Sequence, residues 1–199
     1  MSAPDAPVPS RFQLDLPEWV APWLARQPST FPSDEDKIDL VLGLAREQVE
    51  RETGGPFAAA IFGCSTDRVV SVGVNLVMAS SACIAHAEMV AFALAGQRLR
   101  SFDVGAGSPA ALVTSTEPCA MCLGAVRWSG VCRVVCSARD EDARAIGFDE
   151  GDKPADWVAH LEAHGIEVVP DVSRDRGRAV LDRYAQLGGP VYNCAPPED

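Results

Sequence analysis

The chain has 199 residues, of which 47% are hydrophobic and 23% charged, so it suits one globular domain and excludes a disordered chain. Its 28 acidic residues outnumber the 17 basic ones and give a formal net charge of −11, which disfavours nucleic acid as a partner. Because the sequence has no membrane-length apolar stretch and no secretory start, we expect a cytoplasmic protein without a membrane partner.

The predicted elements follow a proline-rich start. Residues 1–33 contain seven of the 15 prolines and show no sustained periodicity, so we interpret them as an N-terminal arm with a short helical turn at residues 19–25. Ser33 then begins a capping box, and apolar residues recur at helical spacing as far as Val49. The sequence therefore predicts a Pro-rich arm at 1–33 and a folded domain at 34–199.

The folded domain alternates helices with short strands. Residues 56–64 and 68–75 are apolar runs separated by Ser-Thr-Asp, which predicts a β-hairpin. A helix at 85–100 precedes strands at 110–115 and 131–137, and the helix-length segment between these strands predicts a crossover and parallel pairing. The last predicted elements are helices at 141–146, 154–164 and 173–187 and a strand at 166–169. We expect an α/β fold, a three-layer α/β/α sandwich with a mixed central sheet.

Two segments carry the residues best suited to chemistry, HAE at 86–88 and PCAMC at 118–122. One imidazole and two thiolates suit tetrahedral Zn²⁺ and leave the fourth position to water. Cys119 and Cys122 are three residues apart at a predicted helix start, so they share one face and the helix N-terminus stabilises both thiolates. The sequence therefore predicts a catalytic zinc site formed by His86, Cys119 and Cys122.

The acidic residue beside the zinc histidine suits a different role. Glu88 lies about 200° around an ideal helix from His86, so the two side chains are not natural ligands of one ion. Zinc lowers the pKa of a water that it binds from about 15.7 toward 7. A neighbouring carboxylate can take the water proton, protonate a ring nitrogen of an amino-heterocycle and later protonate the departing amine. We therefore predict hydrolytic deamination with Glu88 as the proton carrier.

The H-x-E…P-C-x-x-C pattern resembles the signature of the zinc-dependent nucleobase and nucleoside deaminases, the cytidine and deoxycytidylate deaminase-like superfamily. Within it the sequence is most similar to bacterial guanine deaminases, on GGPF at 54–57, G-x-N at 73–75, EPCAMCLGAVRW at 117–128 and GFDE at 147–150. The resemblance covers roughly residues 37–152. It implies a cytidine-deaminase-like fold, a homodimer and a role in purine metabolism.

The resemblance also implies residues that bind the substrate. By position, Asn75 hydrogen-bonds the purine, and Phe57 and Phe148 pack on its faces. The backbone of Ala87 helps to read the edge of the base. Trp128, also within the matching segment, is expected to pack rather than to take part in catalysis.

Two further positions complete the implied site. Glu150 is a second catalytic carboxylate, since deamination of guanine at C2 protonates a ring nitrogen and an amine on different sides of the reacting carbon. Tyr192 belongs to a C-terminal tail that, in such enzymes, closes over the active site of a neighbouring subunit. The sequence departs from the family pattern in ACIAH at 82–86, which lacks the usual carboxylate and proline, and in Ala58, where glycine is common.

The predicted function is conversion of guanine to xanthine and ammonia by a zinc-dependent hydrolase that acts on a cyclic amidine. The departures keep other small rings open: cytosine, a triazine such as ammeline, or a free nucleoside such as guanosine. A tRNA adenosine deaminase shares the zinc site, but the acidic charge argues against it. A zinc-stabilised ligand-binding module would not need Glu88, and a thiol redox protein would need Cys119 and Cys122 free of metal.

Overall fold

A computed structural model describes residues 8–193 as a mixed β-sheet between two layers of helices. In chain order the elements are α1 (Val20–Leu24), α2 (Asp34–Glu50), β1 (Ala58–Gly63), β2 (Arg68–Val74), α3 (Val77–Ser80), α4 (Ala87–Leu99), β3 (Ala110–Thr116), α5 (Ala120–Ser129), β4 (Arg133–Ala138), α6 (Asp140–Ala145), α7 (Trp157–Glu162), β5 (Glu167–Val169) and α8 (Arg174–Gln186). The predicted α/β/α sandwich is confirmed, and only α3 has no counterpart among the predicted elements.

The sheet has the strand order β2-β1-β3-β4-β5. β1 is antiparallel to β2 and to β3, whereas β3, β4 and β5 run parallel, so the predicted hairpin and crossover are both confirmed. These directions place the start of β1 and the ends of β2, β3 and β4 at one edge of the sheet. The helices α4 and α5 begin near that edge, and the candidate site lies there.

Alternating residues of the strands pack on the two helical layers. In β1, Ala58, Ala60 and Phe62 belong to the core with α2 and α8, and Ala59 and Ile61 to the core with α4, α5 and α7. The capping box predicted at Ser33 is present and begins α2. Among residues 8–193, no helix is both long and apolar enough to cross a lipid bilayer.

The described part of the N-terminal arm packs on the domain that follows it. Val20 and Trp23 of α1 and Phe31 are buried in the same hydrophobic cluster as α2. The Phe31 ring contacts the ring of Phe62 edge-to-face at 5.5 Å between centroids. Residues 8–33 therefore contribute to the core of the fold, although their composition differs from that of residues 34–199.

The outer face of α5 exposes apolar side chains. Trp128 was expected to pack within the chain, but its side chain is 84% exposed, and Met121 on the same helix is also exposed. Seven residues correspond to about two turns, so both side chains lie on the same face. The expectation for Trp128 is wrong because an apolar residue on a helix can face either the core or a surface, and sequence spacing alone does not distinguish them.

Candidate active site

Two helix starts bring the three predicted zinc ligands together. His86 is the N-cap of α4, Cys119 is the N-cap of α5, and Cys122 lies within the first turn of α5. One ligand atom from each of the three residues lies within 4.8 Å of the other two, and Cys119 Sγ is 3.4 Å from His86 Nδ1. The three donor atoms can therefore reach a common metal ion.

A hydrogen bond between the two cysteine side chains shifts their pKa values in opposite directions. The hydrogen bond with Cys122 is the main cause that lowers the pKa of Cys119 to about 4, and His86 adds to it. That same hydrogen bond, together with burial, raises the pKa of Cys122. One sulfur is thus a thiolate beside an imidazole and a second thiol, a donor set that fits Zn²⁺.

Two buried carboxyl groups lie beside the predicted metal ligands. Burial is the main cause that raises the pKa of Glu88 to about 7 and that of Glu150 to about 8, and negative charge on Cys119 adds to both. The Glu150 carbonyl accepts a hydrogen bond from the Ala120 N–H at 2.9 Å, which holds its loop against the start of α5. Carboxyl groups with a pKa near neutrality can both accept and donate protons during turnover.

These groups surround a cavity of about 240 Å³. Eight of the ten predicted site residues line it: Phe57, Asn75, His86, Glu88, Cys119, Phe148, Glu150 and Tyr192. Cys122 lies behind Cys119, fully buried. Ala87 is also fully buried and is not among the lining residues, so its backbone contact with the substrate stays a prediction.

Three aromatic rings form one side of the cavity, here called the aromatic wall. The rings of Phe57 and Phe148 meet edge-to-face with centroids 4.9 Å apart, and Tyr192 meets Phe148 at 5.1 Å. Because Phe57 and Phe148 touch each other, they cannot lie on opposite faces of one base, as their predicted roles suggest. In this arrangement a base can contact them only from one side.

The C-terminal tail reaches the cavity of its own chain. Asn193 Oδ1 accepts a hydrogen bond from the Asp149 N–H at 3.0 Å, and Asn193 Nδ2 donates to the Gly147 carbonyl at 2.8 Å. These bonds place Tyr192 within the aromatic wall. Tyr192 and Asn193 thus line the cavity of their own chain, and closure of the tail over a neighbouring subunit stays a prediction.

The predicted base-reading residue is held by its backbone and by its side chain. The Asn75 N–H donates to the Phe57 carbonyl at 3.0 Å, and Asn75 Oδ1 accepts from the Val77 N–H at 3.2 Å. Asn75 Nδ2 has no hydrogen-bond partner among residues 8–193. The side-chain amino group is therefore available to a ligand in the cavity.

Sequence reasoning missed the ion pair that supports the loop of Glu150. Lys153 is almost fully buried, donates to Glu117 Oε2 at 2.9 Å and lies 5.0 Å from the centre of the Trp157 ring. Glu117 directly precedes the Pro-Cys of the zinc motif, so the pair joins the loop after Glu150 to the start of α5. A lysine next to an acidic stretch was the available signal, but its partner is 36 residues away.

One known family of proteins matches this chain. The family model described as the cytidine and deoxycytidylate deaminase zinc-binding region covers residues 32–138, more than half of the chain. The chain belongs to this deaminase family. The predicted superfamily and the predicted class of enzyme, a zinc-binding deaminase, are thereby confirmed.

Individual relatives agree with this assignment. A guanine deaminase from Bacillus subtilis is 37% identical over 119 residues, which are 57% of this chain and 73% of that protein. A solved guanine deaminase from Nitrosomonas europaea has a TM-score of 0.84 and 38% identity, covering 91% of this chain and 100% of that one. A structure of NE0047 in complex with 2,6-diaminopurine has the same TM-score at 40% identity, covering 91% and 96%. The predicted similarity to bacterial guanine deaminases is confirmed.

Proposed function

We propose that this deaminase hydrolyses guanine to xanthine and ammonia. In this reaction the bond from C2 to the exocyclic nitrogen breaks, a bond from C2 to a water oxygen forms, and the nitrogen leaves as ammonia without any change of redox state. The observation that carries the proposal is the composition of the cavity, which combines an aromatic wall, an available amide donor and two proton-exchanging carboxyl groups. The names of the relatives support guanine as the base.

The charge of the cavity favours a free base over a nucleotide. Its lining includes four acidic residues, Glu88, Glu117, Asp149 and Glu150, and no Lys or Arg among the described residues. A phosphate group at this site would lie among these carboxyl groups without a Lys or Arg side chain to pair with. The volume of about 240 Å³ is also below the roughly 300–1,000 Å³ that is usual for drug-sized ligands. Both features suit a small neutral ring better than a base within a tRNA.

Each chemical task has a residue in a suitable position. We propose that His86, Cys119 and Cys122 hold Zn²⁺, which when bound lowers the pKa of water. Glu88 takes the proton of the attacking water and gives it to the ring nitrogen, and Glu150 assists proton transfer to the amine. Asn75 Nδ2 donates to the base, and the aromatic wall limits its orientation.

A substrate panel tests the proposal. We expect ammonia release with the highest kcat/KM on guanine when guanine, guanosine, cytosine, ammeline and 2,6-diaminopurine are compared. A preference for cytosine or for a nucleoside would reject guanine as the substrate. Guanine turnover that is undiminished in Glu88→Ala would reject the mechanism, and binding without any ammonia release would instead indicate a ligand-binding module.

The setting of the reaction is also a proposal. Six cysteines among residues 8–193 are free thiols, which suits a reducing compartment such as the cytoplasm. Guanine and xanthine are purines, so the proposed reaction would be a step of purine metabolism.

We further propose that the enzyme is a homodimer that uses the exposed face of α5. An aromatic residue as exposed as Trp128 is typical of an interface, and α5 also carries Cys122. In light scattering, we expect the wild type at twice the 21.1 kDa of one chain. Trp128→Glu should have the mass of a single chain, because it places a charge in the contact.

Leu187→Glu is the control for the dimer. Leu187 is exposed at the end of α8, in the helical layer on the other side of the sheet from α5. This variant should keep the mass of the wild type. A monomeric wild type, or a dimeric Trp128→Glu, would contradict the interface.

Gly55→Ala tests the role of the tail. A Cβ at Gly55 would overlap the Tyr192 hydroxyl group, so the methyl group should displace the tyrosine from the aromatic wall. We expect kcat/KM for guanine to fall about tenfold, since small misplacements in an active site have large kinetic effects. Tyr192→Ala should cause a similar loss, and the two changes together should add little.

Gly107→Ala is the control for the added methyl group, because a Cβ there meets no atom within 4 Å. Its kcat/KM should equal that of the wild type. If Gly55→Ala also matched the wild type, Tyr192 would have no part in substrate binding.

A further inference from the structure

We infer that a hydrogen-bond chain from Trp19 through Thr53 to Gln48 positions Asn75, so that the N-terminal arm supports the active site. The inference rests on the proposed role of Asn75 in binding the base. Trp19 lies next to α1, 34 residues from Thr53 in sequence. These hydrogen bonds therefore connect a segment outside the family motifs with a residue of the cavity.

The hydrogen bonds of the chain have one consistent direction. Trp19 Nε1 donates to Thr53 Oγ1 at 3.1 Å, and Thr53 Oγ1 donates to Gln48 Oε1 at 2.9 Å. Gln48 Nε2 then donates to the Asn75 carbonyl at 2.6 Å. An indole N–H can only donate and a carbonyl can only accept, so the two ends fix the orientation of the Gln48 amide.

The residues at the end of this series of hydrogen bonds are buried, so loss of a bond there is costly. Gln48 is fully buried on α2, and Asn75 is buried at the end of β2. A buried carbonyl that loses its donor is left unsatisfied, and the backbone around it tends to shift toward another partner. Since the Asn75 side chain also accepts a hydrogen bond from the Val77 N–H at the start of α3, such a shift would move Nδ2 within the cavity.

The first glycine of the GGPF segment makes room for this contact. A Cβ at Gly54 would overlap both Gln48 Nε2 and the Asn75 oxygen, the two atoms of the hydrogen bond. Glycine is thus the only residue at position 54 that allows Gln48 to reach Asn75 without a rearrangement. Gly54 therefore supports the position of Asn75 through the room that it leaves for Gln48.

Kinetics provide the first test. Gln48→Met keeps the length of the side chain and removes the amide, and we expect kcat/KM for guanine to fall about tenfold. Trp19→Phe, which removes only the N–H donor at the far end, should lower it about threefold by the same reasoning. Ser129→Ala is the control, since it also removes a buried hydrogen-bond donor. The Ser129 hydroxyl group donates to the Val126 carbonyl at 2.8 Å and does not belong to the series that ends at Asn75. Ser129→Ala should leave kcat/KM unchanged.

A double-mutant cycle separates positioning from general stability. If Gln48 acts through Asn75, then in the Asn75→Ala background Gln48→Met should change kcat/KM by less than about twofold. An equal loss in both backgrounds would overturn the inference, because the effect would then not pass through Asn75.

A measurement without turnover distinguishes this inference from the proposed function. In protein labelled with ¹⁵N-asparagine, the Asn75 side-chain amide signal can be assigned by its loss in Asn75→Ala. It should shift in Gln48→Met and in Trp19→Phe but not in Ser129→Ala. If the Asn75 signal does not shift in these variants, the inference is overturned even when guanine is the substrate. If the wild type releases no ammonia from guanine, the proposed function fails, but the Asn75 signal still decides the inference. Should Gln48→Met not fold, Trp19→Phe alone decides it.

Discussion

Glu88→Gln should keep its zinc and lower kcat for guanine by about 10²–10⁴-fold, the range that general acid–base catalysis contributes. The amide has nearly the same shape as the carboxyl group, so the start of α4 and the position of His86 should not change. It cannot carry a proton from water to the base, although it still lines the cavity. The measurements are the zinc content per chain and the steady-state kcat.

Two neighbouring acids provide the comparison for Glu88. Glu150→Gln should lower kcat by a smaller factor, because Glu150 serves only the transfer to the amine. Asp149→Asn should change kcat little, since the Asp149 side chain is largely exposed although it borders the cavity. If Glu88→Gln lost the metal, or kept most of its turnover, Glu88 would not be the proton carrier.

The parts of the site that sequence reasoning could find are those encoded by local spacing. His86, Cys119 and Cys122 lie at the starts of two helices, and their order and spacing are visible along the chain. The capping box of Ser33 with Asp36 is likewise local and correctly predicted the start of α2. Residues three or four positions apart face one another in a helix whatever the rest of the fold does.

The parts that escaped prediction depend on contacts between distant segments. Gln48 and Asn75 are 27 residues apart, and Lys153 and Glu117 are 36 residues apart, so each pair meets only after the sheet and its helices have packed. Phe57 and Phe148 were predicted near the base, but their contact with each other follows from the position of the loop after α6. Trp128 shows a limit of local spacing. The sequence predicts an apolar residue on a helix but does not indicate which side of that helix faces solvent.

Loss of one predicted zinc ligand should have the largest effect of all. In Cys122→Ala we expect less than one tenth of the zinc of the wild type and a loss of guanine turnover of more than about 10³-fold, because water then keeps its ordinary pKa. The measurements are zinc per chain and ammonia release. Cys136→Ala is the matched control: Cys136 is an equally buried cysteine on β4 but is not part of the His86 group. It should destabilise the fold by creating a cavity and yet keep its metal.

Chelation provides an independent measurement of the same site. A metal that binds only the folded protein stabilises it, so a chelator should lower the Tm of the wild type and of Cys136→Ala. The Tm of Cys122→Ala should not respond, because that variant holds no metal to lose. One zinc ion per chain in Cys122→Ala, or full wild-type turnover in excess chelator, would show that these three residues do not form the metal site. Glu88 would then need another source of activated water.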